Sequence, residues 1–78
     1  MKICVISGRN SHDGEQPASF YLGRTRLPVY SVVERWRDPP HAYYRVQVGD
    51  GRRFVLRVET ATHSWELVSV SGRAAAVR

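Results

Sequence analysis

The feature that most constrains this chain is a pair of β-prone segments, Ala42–Val48 and Arg52–Glu59, joined by Gly49-Asp50-Gly51. Alternating apolar and polar residues on both sides of a glycine-rich turn predict a β-hairpin. The length of the turn decides which side chains share a face, because a slip of one residue reverses every side chain in a strand. The register of the hairpin therefore decides which residues share a surface.

The apolar pattern selects between two registers of this hairpin. A two-residue turn would set Val46 opposite Val55 and leave Phe54 among the polar side chains. A three-residue loop pairs Val46 with Phe54 instead and separates the apolar side chains from the polar ones. One face then carries Tyr44, Val46, Val48, Phe54, Leu56 and Val58. The three-residue loop is therefore predicted, with Gly51 in the left-handed conformation that such loops require.

The opposite face of this hairpin has a different chemistry. It would display Tyr43, Arg45, Gln47, Arg53, Val55 and Arg57. Guanidinium groups beside an aromatic ring on a twisted β surface resemble surfaces that bind single-stranded nucleic acid. An ordinary solvated face, with Tyr43 and Arg57 in a cation–π contact, and a face for a protein partner both stay open. The predicted site residues are Tyr43, Arg45, Gln47, Arg53 and Arg57.

The rest of the chain divides into shorter β-prone segments and polar connections. Strands are expected at Ala18–Leu22, Leu27–Arg37 and Trp65–Val70, and the Gly-, Ser-, Asn- and Pro-rich segment Ser7–Ala18 is predicted to be a loop. Asp38-Pro39-Pro40 ends the long strand because proline lacks the amide hydrogen that a ladder needs. We expect an all-β fold, a small antiparallel meander of four to five strands that curls into a partly open SH3-like barrel.

The length of 78 residues suits one domain with a thin core. We expect a single domain over 1–78, with an N-terminal strand and polar loop in 1–17, a β-meander core in 18–70 and a loose tail in 71–78. The lone Cys4 fits a reducing compartment, and the first apolar run is too short for a signal peptide or a membrane span. A cytoplasmic protein without membrane contact, monomeric or weakly dimeric, is the expectation.

No arrangement typical of an enzyme is visible. The residues considered as metal ligands are Cys4, His12, Asp13, His41 and His63. They lack the spacing of a metal site, and Cys4 is expected to be a small buried hydrophobe. Trp36 and Trp65 are either platforms for stacking a ligand or, as is more usual in a small sheet, core residues. We predict no catalytic residue, no metal and no cofactor.

The charge of the chain is strongly basic. Its net value is +5, from 12 basic and 7 acidic residues, and Lys2 is the only lysine among the basic ones. An excess of arginine suits phosphate recognition, because the guanidinium fork pairs with two oxygens of an oxyanion. A genome whose base composition favours arginine codons would produce the same excess. Glu34, Glu59 and Glu66 are candidates to pair with some of the arginines.

The order of several sheet and turn residues is similar to that of a known family. The pattern comprises Phe20, Gly23-Arg24, Val29, Val32-Val33, Arg35-Trp36, Tyr44-Arg45-Val46, Gly51, Phe54-Val55-Leu56 and Trp65-Glu66-Leu67. It resembles a family of small bacterial all-β domains of unknown function, sometimes associated with error-prone DNA polymerase-like proteins. The resemblance covers Ala18 to Val70 and implies an all-β fold. It transfers no catalytic or binding residue.

These observations favour a binding module over an enzyme. The first expectation is an accessory of DNA or RNA transactions that holds single-stranded nucleic acid on the basic and aromatic face. The alternative is a protein–protein interaction or self-associating β domain that pairs a free sheet edge, or a Tyr/Trp patch, with a partner.

Overall fold

The computed structural model describes residues 1–10 and 14–72. Within them the chain forms six strands and no helix: β1 Val5–Asn10, β2 Gly14–Leu22, β3 Thr25–Asp38, β4 His41–Val48, β5 Arg53–Glu59 and β6 Ser64–Ser71. Each strand pairs antiparallel with the next, so the sheet is a meander in chain order that curls into a half-barrel. No helix in this part of the chain could cross a membrane. The all-β antiparallel prediction is confirmed, but there are six strands rather than four to five.

The additional strand arises from the segment Ser7–Ala18, whose prediction as a loop was wrong. Most of that segment belongs to β1 and β2, which pair as a hairpin. A Cβ atom at Gly8 would lie 3.1 Å from the Cβ atom of Ala18, so this glycine permits a close approach of two strands. Pro17 lies opposite Ser7, at a register shift where the ladder is already interrupted. His12 and Asp13 lie outside the described residues, as do residues 73–78 of the predicted tail.

The long strand β3 belongs to both halves of the sheet. Its first residues, Thr25 to Pro28, pair with β2, and the rest of the strand pairs with β4. Two register shifts interrupt the pairing with β4, and they leave Tyr30 and Val33 without an opposite residue. Bulges of this kind bend a strand and increase its twist. The bends in β3 therefore contribute to the curl of the half-barrel.

The register predicted for the β4–β5 hairpin is confirmed. Val46 lies opposite Phe54, and Gln47 lies opposite Arg53. Val48 donates its N–H to the carbonyl of Arg52 at 3.0 Å and accepts from the N–H of Gly51 at 3.0 Å, which closes the three-residue loop. Gly51 has a φ of +97°, in the region that favours glycine.

The core lies on the concave side of the half-barrel. Its fully buried members are Phe20, Val46, Val48, Phe54 and Leu56, with Ile3, Val5, Leu22, Leu27, Val29, Val32, Tyr44, Trp65 and Leu67 packed against them. Phe20 of β2 and Phe54 of β5 meet edge to face, with ring centroids 5.0 Å apart. These two strands are not neighbours in the sheet, so the contact joins the two halves through the interior.

The first residues of the chain hydrogen-bond to the last strand. Ile3 donates its N–H to the carbonyl of Trp65 at 3.3 Å, and Leu67 donates to the carbonyl of Met1 at 2.7 Å. The chain then turns to β2, where the carbonyl of Cys4 accepts from the N–H of Tyr21 at 2.9 Å. Ile3 and Val5 pack on the core, so the residue between them points outward. Cys4 is exposed, and its prediction as a buried hydrophobe was wrong.

The two glycines of the β4–β5 loop provide a matched test of this register. Gly51→Ala should reduce the free energy of unfolding by about 1–2 kcal/mol, because an L side chain is strained at positive φ. Gly49→Ala, whose added methyl group would meet no atom within 4 Å, should be neutral or slightly stabilising. Urea unfolding followed by tryptophan fluorescence measures both changes. Equal effects at the two positions would contradict the assigned loop.

Candidate functional site

All five predicted site residues lie on the convex side of the half-barrel, called here the outer face. Tyr43, Arg45 and Gln47 come from β4, and Arg53 and Arg57 from β5, with Tyr43 opposite Arg57 and Gln47 opposite Arg53. Along each strand these side chains alternate with the side chains that are buried in the core. Val55, between the two arginines of β5, is only 9% exposed although it lies on this face. The predicted separation of guanidinium groups from the core is therefore present.

Trp36 is the main residue of this face that the sequence interpretation missed. It pairs with Tyr43, and the two rings are stacked at 5.2 Å between centroids with 6° between their planes. Trp36 is 37% exposed, so of the two alternatives that the sequence left for it, a core residue or a stacking platform, the core residue is excluded. Trp65 does pack on the core, tilted against Tyr44 with centroids 5.6 Å apart. The two-residue connection Pro39-Pro40 sets Trp36 opposite Tyr43, and this signal was available in the sequence.

Arg45 lies over the ring of Trp36. Its guanidinium carbon lies 5.6 Å from the ring centroid, a cation–π distance. The same guanidinium forms an ion pair with Glu34, the residue directly opposite on β3. Both partners remain substantially exposed, so the ion pair itself adds little stability. Its effect is to hold the guanidinium over the ring and to neutralise much of its charge.

Arg57 is held by two partners on neighbouring strands. Its Nε donates to Oε1 of Glu66 at 2.8 Å, and its guanidinium also bonds the hydroxyl of Tyr43. The bond to Tyr43 and then the bond to Glu66 raise the pKa of Arg57. The same guanidinium lowers the pKa of the Glu66 carboxyl below its ordinary 4.5, by hydrogen bonding and then by charge. Arg57 is thus a structural cross-link between three strands.

Arg53 is the arginine of the outer face that has no carboxylate partner within the described ranges. Its Nε donates to Oε1 of Gln47 at 3.3 Å, a neutral acceptor that leaves the charge uncompensated. Its side chain is exposed. Arg53 is therefore the guanidinium best placed to meet an oxyanion on this face.

The outer face as a whole is not strongly basic. The carboxylates that β3–β6 place there are Glu34, Asp38, Glu59 and Glu66. Glu34 and Glu66 are paired with arginines as the sequence suggested, whereas Glu59 accepts from the hydroxyl of Thr62 at 3.2 Å. The face therefore offers partly exposed aromatic rings and hydrogen-bonding groups more than net positive charge. No three His, Cys, Asp or Glu side chains converge as metal ligands in residues 1–10 and 14–72.

The Arg57–Glu66 pair should make stability depend on pH in the acid range. Because the pKa of Glu66 is lower in the folded chain, its stabilising effect is full above about pH 5 and is lost as pH falls through the folded value. The pKa of Asp50, lowered chiefly by the backbone N–H of Arg52, acts in the same direction. Glu66→Gln should therefore show a smaller loss of stability on acidification than the wild type, as measured by thermal unfolding between pH 3 and 7.

The control for this measurement is Glu59→Gln, which removes a carboxylate from the same strand pair without touching Arg57. It should retain the acid-dependent loss of the wild type. If Glu66→Gln and Glu59→Gln gave the same pH profile, the assigned role of the Arg57–Glu66 pair would be wrong.

Comparison with known proteins adds no relative to this geometry. No family model matches the chain, and neither a curated protein nor a solved structure matches it. The resemblance to small bacterial β domains therefore stays an expectation from the sequence.

Proposed function

We propose that the chain is a small binding module whose outer face stacks unpaired bases of single-stranded nucleic acid. The observation that carries the proposal is the parallel stack of Trp36, which is 37% exposed, on the half-buried Tyr43, with Arg45 held over the indole. Every base has a π-face, so an aromatic platform on a sheet binds single strands with little sequence preference. Each ring belongs to a paired strand, and the two rings pack against each other. Binding, not catalysis, is the role it suits.

The charge of the outer face shapes this proposal. Arg45 and Arg57 already have carboxylate partners, so Arg53 is the principal group for a backbone phosphate. Affinity should then come mainly from stacking, worth about 1–3 kcal/mol per base. The dependence on salt should be shallow. A plot of the logarithm of the binding constant against the logarithm of the salt concentration should have a slope of about −0.7, the value for one phosphate contact with a single strand.

We also propose that the half-barrel is a partly open SH3-like barrel. A partly open SH3-like barrel is supported by a strongly bent β3 that is shared between the two halves of the sheet. It is also supported by the hydrogen bonds that tie Met1 and Ile3 to β6. In such a barrel a convex aromatic platform and a concave cleft lie on opposite sides of one sheet.

Oligonucleotide binding by platform variants tests the function. A labelled oligothymidylate of about 12 nucleotides, within the range of about 4–16 nucleotides that one OB-fold occupies, is titrated at low salt and followed by anisotropy. Trp36→Leu, which keeps apolar bulk but removes the ring, should weaken binding by about 5-fold to about 100-fold. Tyr30→Leu removes an aromatic ring that is 75% exposed at a bulge of β3, and it should leave binding unchanged.

Two results would contradict the proposal. One is equal weakening by Trp36→Leu and Tyr30→Leu, which would remove the special role of the stack. The other is a wild-type protein that does not bind at high micromolar concentration in low salt. A steep salt dependence that Arg53→Gln does not reduce would also overturn the assignment of phosphate contact to Arg53.

A second candidate function, self-association or binding of a protein through a sheet edge, has a separate observation in its favour. Met1 and Ile3 bond β6 at Trp65 and Leu67, and beyond that point β6 exposes Val68 and Val70, at 45% and 49%. An edge with exposed β-branched residues and no charge or proline favours pairing with another strand. The balanced charges of the outer face are equally suited to a protein partner.

Self-association through β6 predicts a mass that depends on concentration. Sedimentation should show a shift toward dimer with rising concentration, and Val70→Lys should abolish it by placing a charge at the edge. Tyr30→Lys, which adds a charge at an exposed bulge away from β6, is the matched control. A strict monomer over the whole range would exclude this version of the second candidate.

A further inference from the structure

The concave side of the half-barrel contains a cleft that the proposed function does not use. It has a volume of about 550 Å³ and lies between β1 and the inner faces of β4, β5 and β6. Tyr44, Val58 and Trp65 form apolar and aromatic parts of its lining, and Arg37 and His63 also line it. Its size falls within the range of small-molecule sites, about 300–1,000 Å³. The cleft lies on the opposite side of the sheet from the outer face.

The aromatic part of this cleft suits a flat apolar group. Tyr44 and Trp65 are half-buried, and their rings are 5.6 Å apart at 39°, so neither is stacked flat against the other. Val58 and Ala42 are each 8% exposed and close the lining between them. A ring that entered here would exchange water for contacts with aromatic and aliphatic side chains, as ligands of small apolar pockets do.

The charged side chains on this side of the sheet restrict the kind of ligand further. The four carboxylates of β3–β6 all lie on the outer face, as the register shows. On the concave side, Arg35 lies opposite Tyr44 and Arg37 lies opposite Ala42. No Asp or Glu is among the residues that line the cleft, and Arg37 has no ion-pair or hydrogen-bond partner among the residues the structure describes. A cation beside an apolar cleft without a carboxylate complements an anion.

We propose that the cleft binds a small flat apolar molecule that carries a negative charge, such as an aromatic carboxylate, sulfonate or phosphate. The ring contacts Tyr44 and Trp65, and the anionic group meets Arg37. Both parts of the ligand are required by the chemistry of the site, since the apolar lining selects the ring and the guanidinium selects the charge. The site is independent of the platform formed by Trp36 and Tyr43.

A pair of probes that differ in one charged group tests the proposal. The probes are 8-anilino-1-naphthalenesulfonate, a flat aromatic anion, and N-phenyl-1-naphthylamine, which has the same ring system without the sulfonate. Each is titrated into the folded protein and followed by its fluorescence. The anion should bind several-fold to about tenfold more tightly than the neutral probe, because a charge-assisted hydrogen bond to arginine is available to it alone.

Matched arginine variants locate the binding. Arg37→Gln should lower the affinity of the anionic probe to that of the neutral probe. The affinity of the neutral probe should not change. Arg24→Gln, which neutralises an exposed arginine at the β2–β3 turn, should bind both probes as the wild type does. Urea unfolding of each variant verifies that its fold is retained, since a loosened core would bind both probes more strongly.

Three outcomes would overturn the proposal. The first is equal affinities of the two probes for the wild type. The second is an equal loss of affinity for the anionic probe in Arg37→Gln and Arg24→Gln. The third is no loss of affinity for the anionic probe in either variant. Trp36→Leu separates this inference from the proposed function, because it should leave the binding of both probes intact. Loss of oligonucleotide binding with probe binding retained would therefore place the two activities on opposite sides of the sheet.

Discussion

The register of the β4–β5 hairpin is the constraint on which the rest of the structure depends. Three residues between Val48 and Arg52 place Val46, Phe54 and Leu56 on the concave side. A connection shorter by one residue would turn Arg53 and Arg57 to the side of Val46 and leave Phe54 and Leu56 beside Arg45. The loop supports its own geometry, since Asp50 accepts from the backbone N–H and the side chain of Arg52. The core, the outer face and the concave cleft all follow from that one connection.

The sheet also sorts charge between its two sides. On the outer face, arginines and carboxylates alternate across neighbouring strands, and most of their charge is cancelled within the protein. On the concave side, Arg37 projects from β3 beside a cleft whose lining, among the residues that the structure describes, includes no acidic residue. The basic character of the composition is therefore a poor guide to the location of positive potential. Position along the strands, and not the number of arginines, determines which side attracts anions.

The central hairpin could be predicted from the sequence because its two strands alternate cleanly and its turn is rich in glycine. The five site residues followed from the same pattern, and so did their shared face. Trp36 was not placed on this face, because aromatic residues in small sheets are usually buried and its position depends on the pairing of β3 with β4 across Pro39-Pro40. The β1–β2 hairpin was missed because Gly8 and Pro17 are typical of loops. Gly8 instead allows β1 to pack closely against Ala18 of β2. That role could not be predicted without knowing that the two residues are neighbours.

The hydrogen bonds between the first residues and β6 have a consequence for the order of assembly. Every other pairing joins strands that are consecutive in the chain, so each can form by closing a short loop. The bridge between Lys2 and Glu66 spans almost the whole described chain, and its closure is opposed by the largest loss of chain entropy. The pairing between the first residues and β6 should thus be the last to form during folding and the first to open. Val5 and Trp65 lie beside these hydrogen bonds and line the concave cleft, so the cleft borders the part of the sheet that is expected to form last.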